Sequence, residues 1–340
     1  MKLGWRAALA LVATATAAGF AAAREPAAKH QGHVPPKVDL GAVATPDIAT
    51  VPDTPEGRAI KYGYELVTAT YAHIGPEVAQ TEMRYAGNNL TCQSCHLQAG
   101  AQVYAMPYVG VWGAFPQYRA RENEVSTLEE RINGCMMRSM NGRPLPHDSR
   151  EMKAMLAYMK WLSSGVPVGA SLVGAGTLAI TEPARAADPA RGAAVYAETC
   201  AACHGENGLG LRNGRAGDAK GYQFPPLWGP DSYNTGAGMY RLLTAAAFIK
   251  NNMPVGTTHA AAALSDENAY DVAAFINSQP RPEKADLDKD FPDRRKKPVD
   301  APFPPWIDGF GAAQHKYGPF EPIRRKLREL DAAAAGPKAP

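Results

Sequence analysis

Beyond its first two dozen residues the chain has no apolar run of the length that crosses a bilayer. It has no long basic block interleaved with aromatics. Its 36 basic and 33 acidic residues are interspersed, to a formal charge of only +3, which argues against nucleic acid as a partner. Cysteine is scarce: there are five in 340 residues, an odd number, so a disulfide framework would leave one thiol over. Hydrophobic residues make up 45%, and the length suffices for two ordinary domains with tails.

The N-terminus reads MKLGWRAALALVATATAAGFAAARE. Lys2 and Arg6 precede an apolar stretch from Ala7 to about Phe20, which ends in Ala21, Ala22 and Ala23. This pattern predicts a cleaved export signal over residues 1–23, and a mature protein that is periplasmic with no membrane span. Residues 24–52 are rich in Ala, Pro and Val and predict a loosely ordered arm.

Residues 53–165 form the first predicted domain. Its first helix starts near Glu56 and sets Ile60, Tyr64 and Val67 on one face. A short helix starts at Thr127. Another starts at Asp148, with Glu151 three residues on, and ends at Gly165. Residues 166–187 are Gly-, Pro- and Ala-rich and predict a linker. Residues 188–280 then repeat the plan: a helix, a Cys-x-x-Cys-His motif, Gly- and Pro-rich loops, a helix before Pro254, and a last helix capped by Ser265. This is an internal duplication. Residues 281–340 are proline-rich and charged, and predict a tail that wraps the surface, with a short helix near its end.

The repeated motifs are CQSCH (Cys92, Cys95, His96) and CAACH (Cys200, Cys203, His204). Two residues between the thiols let one helical turn present both sulfurs to two haem vinyl groups, and the adjacent His turns onto the iron. A zinc site or a redox dithiol explains a lone Cys-x-x-Cys, but not two copies each followed by His in an exported chain. The motifs predict two covalently bound haem c groups, with His96 and His204 as proximal ligands. The fold expected is all-α: two class I cytochrome c-like domains in tandem with a long irregular C-terminal extension.

Each iron needs a sixth ligand from downstream. In the second repeat NNMPVG offers Met253, with Lys250 one turn earlier as an alternative and Met239 as a weaker candidate. Thioether ligation raises the potential and suits an electron exit. In the first repeat RINGCMMRSMNG offers Cys135, Met136, Met137 and Met140. Either Met140 is the ligand and Cys135 an inert thiol, or Cys135 ligates as thiolate and lowers the potential.

Several stretches resemble the dihaem thiosulfate dehydrogenases: NNLTCQSCHLQAGA, FPQYRARENEVSTLEERINGCMMRSMNG, FPPLWGPDS, NNMP and HKYGPF. The block around Cys135 is the most specific, because generic cytochromes c lack it. The resemblance implies that Cys135 is the distal ligand of the first haem and the centre of the active site, with Met253 or Lys250 on the second haem. It implies oxidation of two thiosulfates to tetrathionate, with electrons passed to a soluble or membrane-bound cytochrome, and reversal as a tetrathionate reductase. Pairing two dianions needs fixed positive charge, and Arg119, Arg121, Arg131 and Arg138 lie close to Cys135 in sequence, with Ser139 as a further donor. A covalent route follows, in which the Cys135 sulfur bonds the sulfane sulfur of one thiosulfate and the second thiosulfate attacks the adduct. The alternative reading is a dihaem electron-transfer cytochrome without its own substrate chemistry. A dihaem peroxidase, with His73, His147 or His259 as acid–base groups, and a sulfur-carrier cytochrome are further alternatives.

Overall fold

The computed structural model describes residues 34–335. The predicted export signal and the first part of the arm lie outside the described residues. The first helix, α1 (Pro55–Thr68), is started by Thr54, whose hydroxyl accepts from Gly57 N at 3.0 Å. Pro55 takes the first helical position, where a missing N–H costs nothing. After α1 the first repeat runs through α2 (Thr70–Ile74), α3 (Leu97–Gly100), α4 (Leu128–Arg138) and α5 (Arg150–Leu162). Ser149 rather than Asp148 caps α5, accepting from Met152 N at 3.1 Å, and the helix ends at Leu162 rather than Gly165.

The second repeat contains α6 (Pro189–Thr199), α7 (Ala201–His204), α8 (Leu242–Asn252) and α9 (Asp266–Ser278), and α10 (Ala312–Tyr317) and α11 (Glu321–Ala335) follow in the extension. The duplication is visible in the packing. In the first repeat α1 crosses α5 at Gly63, where a Cβ would overlap the carbonyl oxygen of Ala154. In the second α6 crosses α9 at Gly192, where a Cβ would overlap the carbonyl oxygen of Asp271. Each crossing sits on its own apolar core, one built around Leu66, Met136, Met152 and Leu162, the other around Ala246, Tyr270, Val272 and Ala273.

Strands are few and short: β1 (Lys37–Asp39), β2 (Gln117–Arg119), β3 (Glu124–Ser126), β4 (Ser171–Val173), β5 (Leu211–Arg212) and β6 (Tyr222–Phe224). They form three two-stranded pieces, β1 with β4 in parallel, β2 with β3 and β5 with β6 antiparallel. The β1–β4 pair corrects the reading of a loose arm and a plain linker: residues 37–39 of the one are hydrogen-bonded to residues 171–173 of the other.

The extension also does more than wrap the surface. Phe320 and Ile323 are fully buried in the second core. Phe291, Ala301 and Phe303 form a small third cluster against Ala120 of the first repeat. Between the repeats, Asn88 Nδ2 donates to the carbonyls of Ser139 at 2.9 Å and Ser232 at 3.1 Å. Asn234 Nδ2 donates to Met137 O and Asn141 Oδ1, both at 3.0 Å, and Asn234 N donates to Arg138 O at 3.2 Å. The last carbonyls of α4, which have no partner within the helix, are thus satisfied partly by the second repeat.

Candidate functional site

The site is built on α4. Thr127 and Glu130 close a capping box, with Thr127 N donating to Glu130 Oε2 at 2.6 Å, and this fixes where the helix begins. Arg131 and Cys135 are then one turn apart on one face. Arg131 Nη1 donates to Cys135 Sγ at 2.7 Å.

The first Cys-x-x-Cys-His motif faces this helix. Thr91 and Ser94 brace the turn that carries Cys92 and Cys95. His96 is oriented twice: its Nδ1 lies 2.5 Å from Met106 O, and its ring stacks on Tyr108 with centroids 4.4 Å apart. With Nδ1 engaged by a carbonyl, Nε2 is the nitrogen left for a metal.

Cys92, Cys95, His96 and Cys135 line one cavity of about 380 Å³, whose walls are mostly apolar and include Leu90, Leu128, Met136 and Met155. Two thiols, an imidazole with Nε2 available and an apolar surround are what a covalently held haem requires, so the residues fit the group. Met140 also lines this cavity, and is 3% exposed. Burial by itself raises the pKa of a thiol. At Cys135 burial acts the same way, but the charge of Arg131 and hydrogen bonds from His96 and Arg131 outweigh it and bring the thiol down to about 6. Cys135 and Met140 both line the cavity that His96 lines.

A smaller cavity of about 90 Å³ opens beside Cys135. Arg119, Arg121, Arg131, Arg138 and Ser139 all line it, with Glu122 and Glu130 as the opposing charges. The sequence treats the four arginines alike, whereas the structure separates them. Arg131 is engaged by the Cys135 sulfur. Arg121 and Arg138 share one carboxylate, Asp290, at 2.5 and 2.6 Å. Arg119 has only a long contact with Glu122, at 3.4 Å, and is the least committed.

At the second motif, α7 carries Cys203 and His204, with Cys200 just before it, and His204 Nδ1 lies 2.8 Å from Pro225 O. The arrangement again leaves Nε2 for a metal. Met253 follows the last residue of α8 and packs on the same core as Cys200 and Met239. Lys250 is turned to other partners: its Nζ donates to Leu264 O at 2.7 Å and pairs with Asp266 at 3.3 Å. Met239 lines both cavities near Cys135. None of His73, His147 and His259 lines either cavity.

Sequence reasoning missed Asp290, Met106 and Tyr108. Met106 acts through its carbonyl, which no side-chain pattern reports. Asp290 is one of several acids in a charged run of the extension, and nothing in the run marks it out.

Comparison with known proteins accords with this geometry. Residues 82–168 match the model of the SoxA/TsdA cytochrome c domain, and residues 189–280 match that of cytochrome c. The chain is similar to a thiosulfate dehydrogenase of Allochromatium vinosum, 46% identical over 73% of this chain and 86% of that one. It is similar to another of Thiomonas intermedia, 38% identical over 79% of this chain and 81% of that one. Among solved structures it resembles the thiosulfate dehydrogenase (TsdBA) of Marichromatium purpuratum, with a TM-score of 0.64 and 38% identity over 72% of this chain. It spans half the length of that solved chain, at 50%. A tandem of two cytochrome c domains, each with its own attachment motif, carries two covalently bound haems, and with this degree of likeness over most of its length the chain belongs to the thiosulfate dehydrogenase family.

Proposed function

We propose that the protein joins two thiosulfate ions into tetrathionate in the periplasm, passes the two electrons to an external cytochrome, and is able to run in reverse. The observation that carries this reading is Cys135: a half-buried thiol beside Arg131, on the walls of both an apolar cavity and an arginine-lined one. The export pattern of residues 1–23 supports the compartment. No helix among the described residues is long and apolar enough to cross a membrane.

The residues divide the work. His96 and Cys135 would hold the iron of the first haem, His204 and Met253 that of the second, with Cys92, Cys95, Cys200 and Cys203 as the attachment points. When bound, the haems supply the electron sink, since thiosulfate dimerisation releases two electrons and no proton. Arg131 holds the Cys135 sulfur as thiolate through a charged hydrogen bond. Arg119 and the Ser139 hydroxyl are placed to take sulfonate oxygens, and Arg121 and Arg138 add fixed positive charge. Cys135 Sγ is placed to bond the sulfane sulfur of the first thiosulfate; this S–S bond breaks no other bond and forms only as two electrons are withdrawn, which the haems would accept when bound. The sulfane sulfur of the second then attacks that same sulfur, forms the new S–S bond, and returns the Cys135 thiolate. Two anions therefore meet the protein in turn rather than each other at once.

The test is Cys135→Ala in holoprotein with both haems, assayed with ferricyanide for thiosulfate consumed and tetrathionate formed. Loss of turnover by about 100-fold or more is expected of a missing nucleophile. Full activity in that variant overturns the covalent role and returns Cys135 to an inert thiol beside a Met140 ligand, and absence of tetrathionate formation by the wild type overturns the reaction itself.

A further inference from the structure

We propose that Asp290, in the C-terminal extension, is a positioning residue for the anion pocket: its carboxylate holds the guanidinium groups of Arg121 and Arg138 on the wall beside Cys135. The proposal rests on the dehydrogenase reading of that pocket, and adds to it a residue outside both cytochrome repeats.

The geometry is a shared anchor. Asp290 Oδ2 accepts from Arg121 at 2.5 Å, and Oδ1 accepts from Arg138 at 2.6 Å. All three side chains are nearly dry, with 9%, 14% and 12% of Asp290, Arg121 and Arg138 exposed. Ion pairs withdrawn from water in this way are held rather than fluctuating. The extension is itself fixed at this point. Phe291 N donates to Arg121 O at 2.7 Å, and the Arg121 guanidinium lies 4.9 Å from the Phe291 ring centroid. Arg294 Nη1 donates to the carbonyls of Asp290 and Phe291.

One carboxylate between two guanidinium groups leaves net positive charge and unused donors. Arg138 Nε is buried and has no hydrogen-bond partner among the described residues, so one donor of the pocket's own arginine is left unsatisfied. The chemistry that satisfies it is an oxyanion. A lone arginine pair would repel and splay, and with Asp290 between them the two cations stay together on the wall of the smaller cavity. The ligand class is the sulfonate end of thiosulfate or tetrathionate.

The test uses full-length holoprotein and three variants: Asp290→Asn, Arg138→Gln and the double. Readouts are kcat and KM for thiosulfate, competitive inhibition by sulfate as an unreactive tetrahedral dianion, haem content and thermal melting. Asp290→Asn is expected to raise KM and the sulfate inhibition constant together, about tenfold, with kcat changed less than threefold. The double variant is expected to be no worse than the poorer single, because both act through one arrangement. A KM within twofold of wild type, or fully additive effects, overturns the proposal and leaves Asp290 as a tether of the extension. If Asp290→Asn does not accumulate as holoprotein, Arg121→Lys and Arg138→Lys replace it. Coupled KM effects support the shared anchor, and additive ones overturn it. Absence of tetrathionate formation by the wild-type holoprotein refutes the dehydrogenase reading itself, whereas turnover with a wild-type KM in Asp290→Asn refutes only the role of Asp290.

Discussion

Arg131 reaches forward one helical turn to place a guanidinium N–H 2.7 Å from the sulfur of Cys135. The pairing depends on α4 beginning at Leu128, which the Thr127–Glu130 capping box secures. Arg131→Gln is expected to lower kcat/KM for thiosulfate by about 10- to 100-fold with both haems retained, since a charged hydrogen bond to a half-buried thiolate is lost. Arg131→Lys keeps the charge but not the planar fork, and should fall between. Steady-state kinetics on the three proteins checks the order.

The helix crossings at Gly63 and Gly192 predict matched defects. An Ala at either site drives a methyl into a backbone carbonyl, Ala154 O or Asp271 O, which a side-chain rotamer cannot relieve. Each substitution should cost about 3 kcal/mol, the upper part of the range for overpacking, and lower the melting temperature by about 6 °C or more. Calorimetry of the single variants tests this. A melting temperature unchanged in Gly192→Ala contradicts the duplicated crossing.

For the second haem, Met253→Gln should lower the reduction potential and abolish the methionine–iron charge-transfer band of the ferric protein. Lys250→Gln should leave both in place, because the Lys250 amine is occupied by Leu264 O and Asp266. Spectra and redox titration decide between the two ligands.

Lys297 gives a pH dependence. It is 5% exposed, and its ammonium donates to the carbonyls of Phe303 and Pro305 and lies over the Phe303 and Trp306 rings. Burial, with the nearby Arg294, brings its pKa down to about 8, against the attraction of Asp290 and Asp308. Between about pH 8 and the ordinary lysine value of roughly 10.4 the unfolded chain holds a proton the folded one has released. Raising the pH through that window therefore stabilises the fold. Wild type should gain on Lys297→Met by on the order of 1 kcal/mol between pH 7 and 10, read from melting curves at each pH.

The haem motifs and the longer helices were legible because each is carried by local spacing: Cys92 with Cys95 and His96, Ile60 with Tyr64 and Val67, Ser265 before Asp266. Cys135 stood out because its four fellow cysteines had a use and it had none. The division of the arginines was not legible, because it depends on Asp290, which lies over 150 residues away in the chain. The same holds for residues 37–39 and 171–173, whose pairing is made by backbone groups that every residue carries. The buried Phe320 and Ile323 were hidden by their setting, a segment of prolines and charges that reads as surface.

The carbonyls at the end of α4 are received by Asn234 and its neighbours in the other repeat. Segment 166–187 is thus no hinge: the repeats are fastened elsewhere, and residues 171–173 are themselves pinned to residues 37–39. An electron leaving the Cys135 side does not wait for a tethered partner to diffuse into range. On the proposed route the residues that would hold donor and acceptor belong to one compact unit, so the internal hop should be insensitive to solvent viscosity and salt.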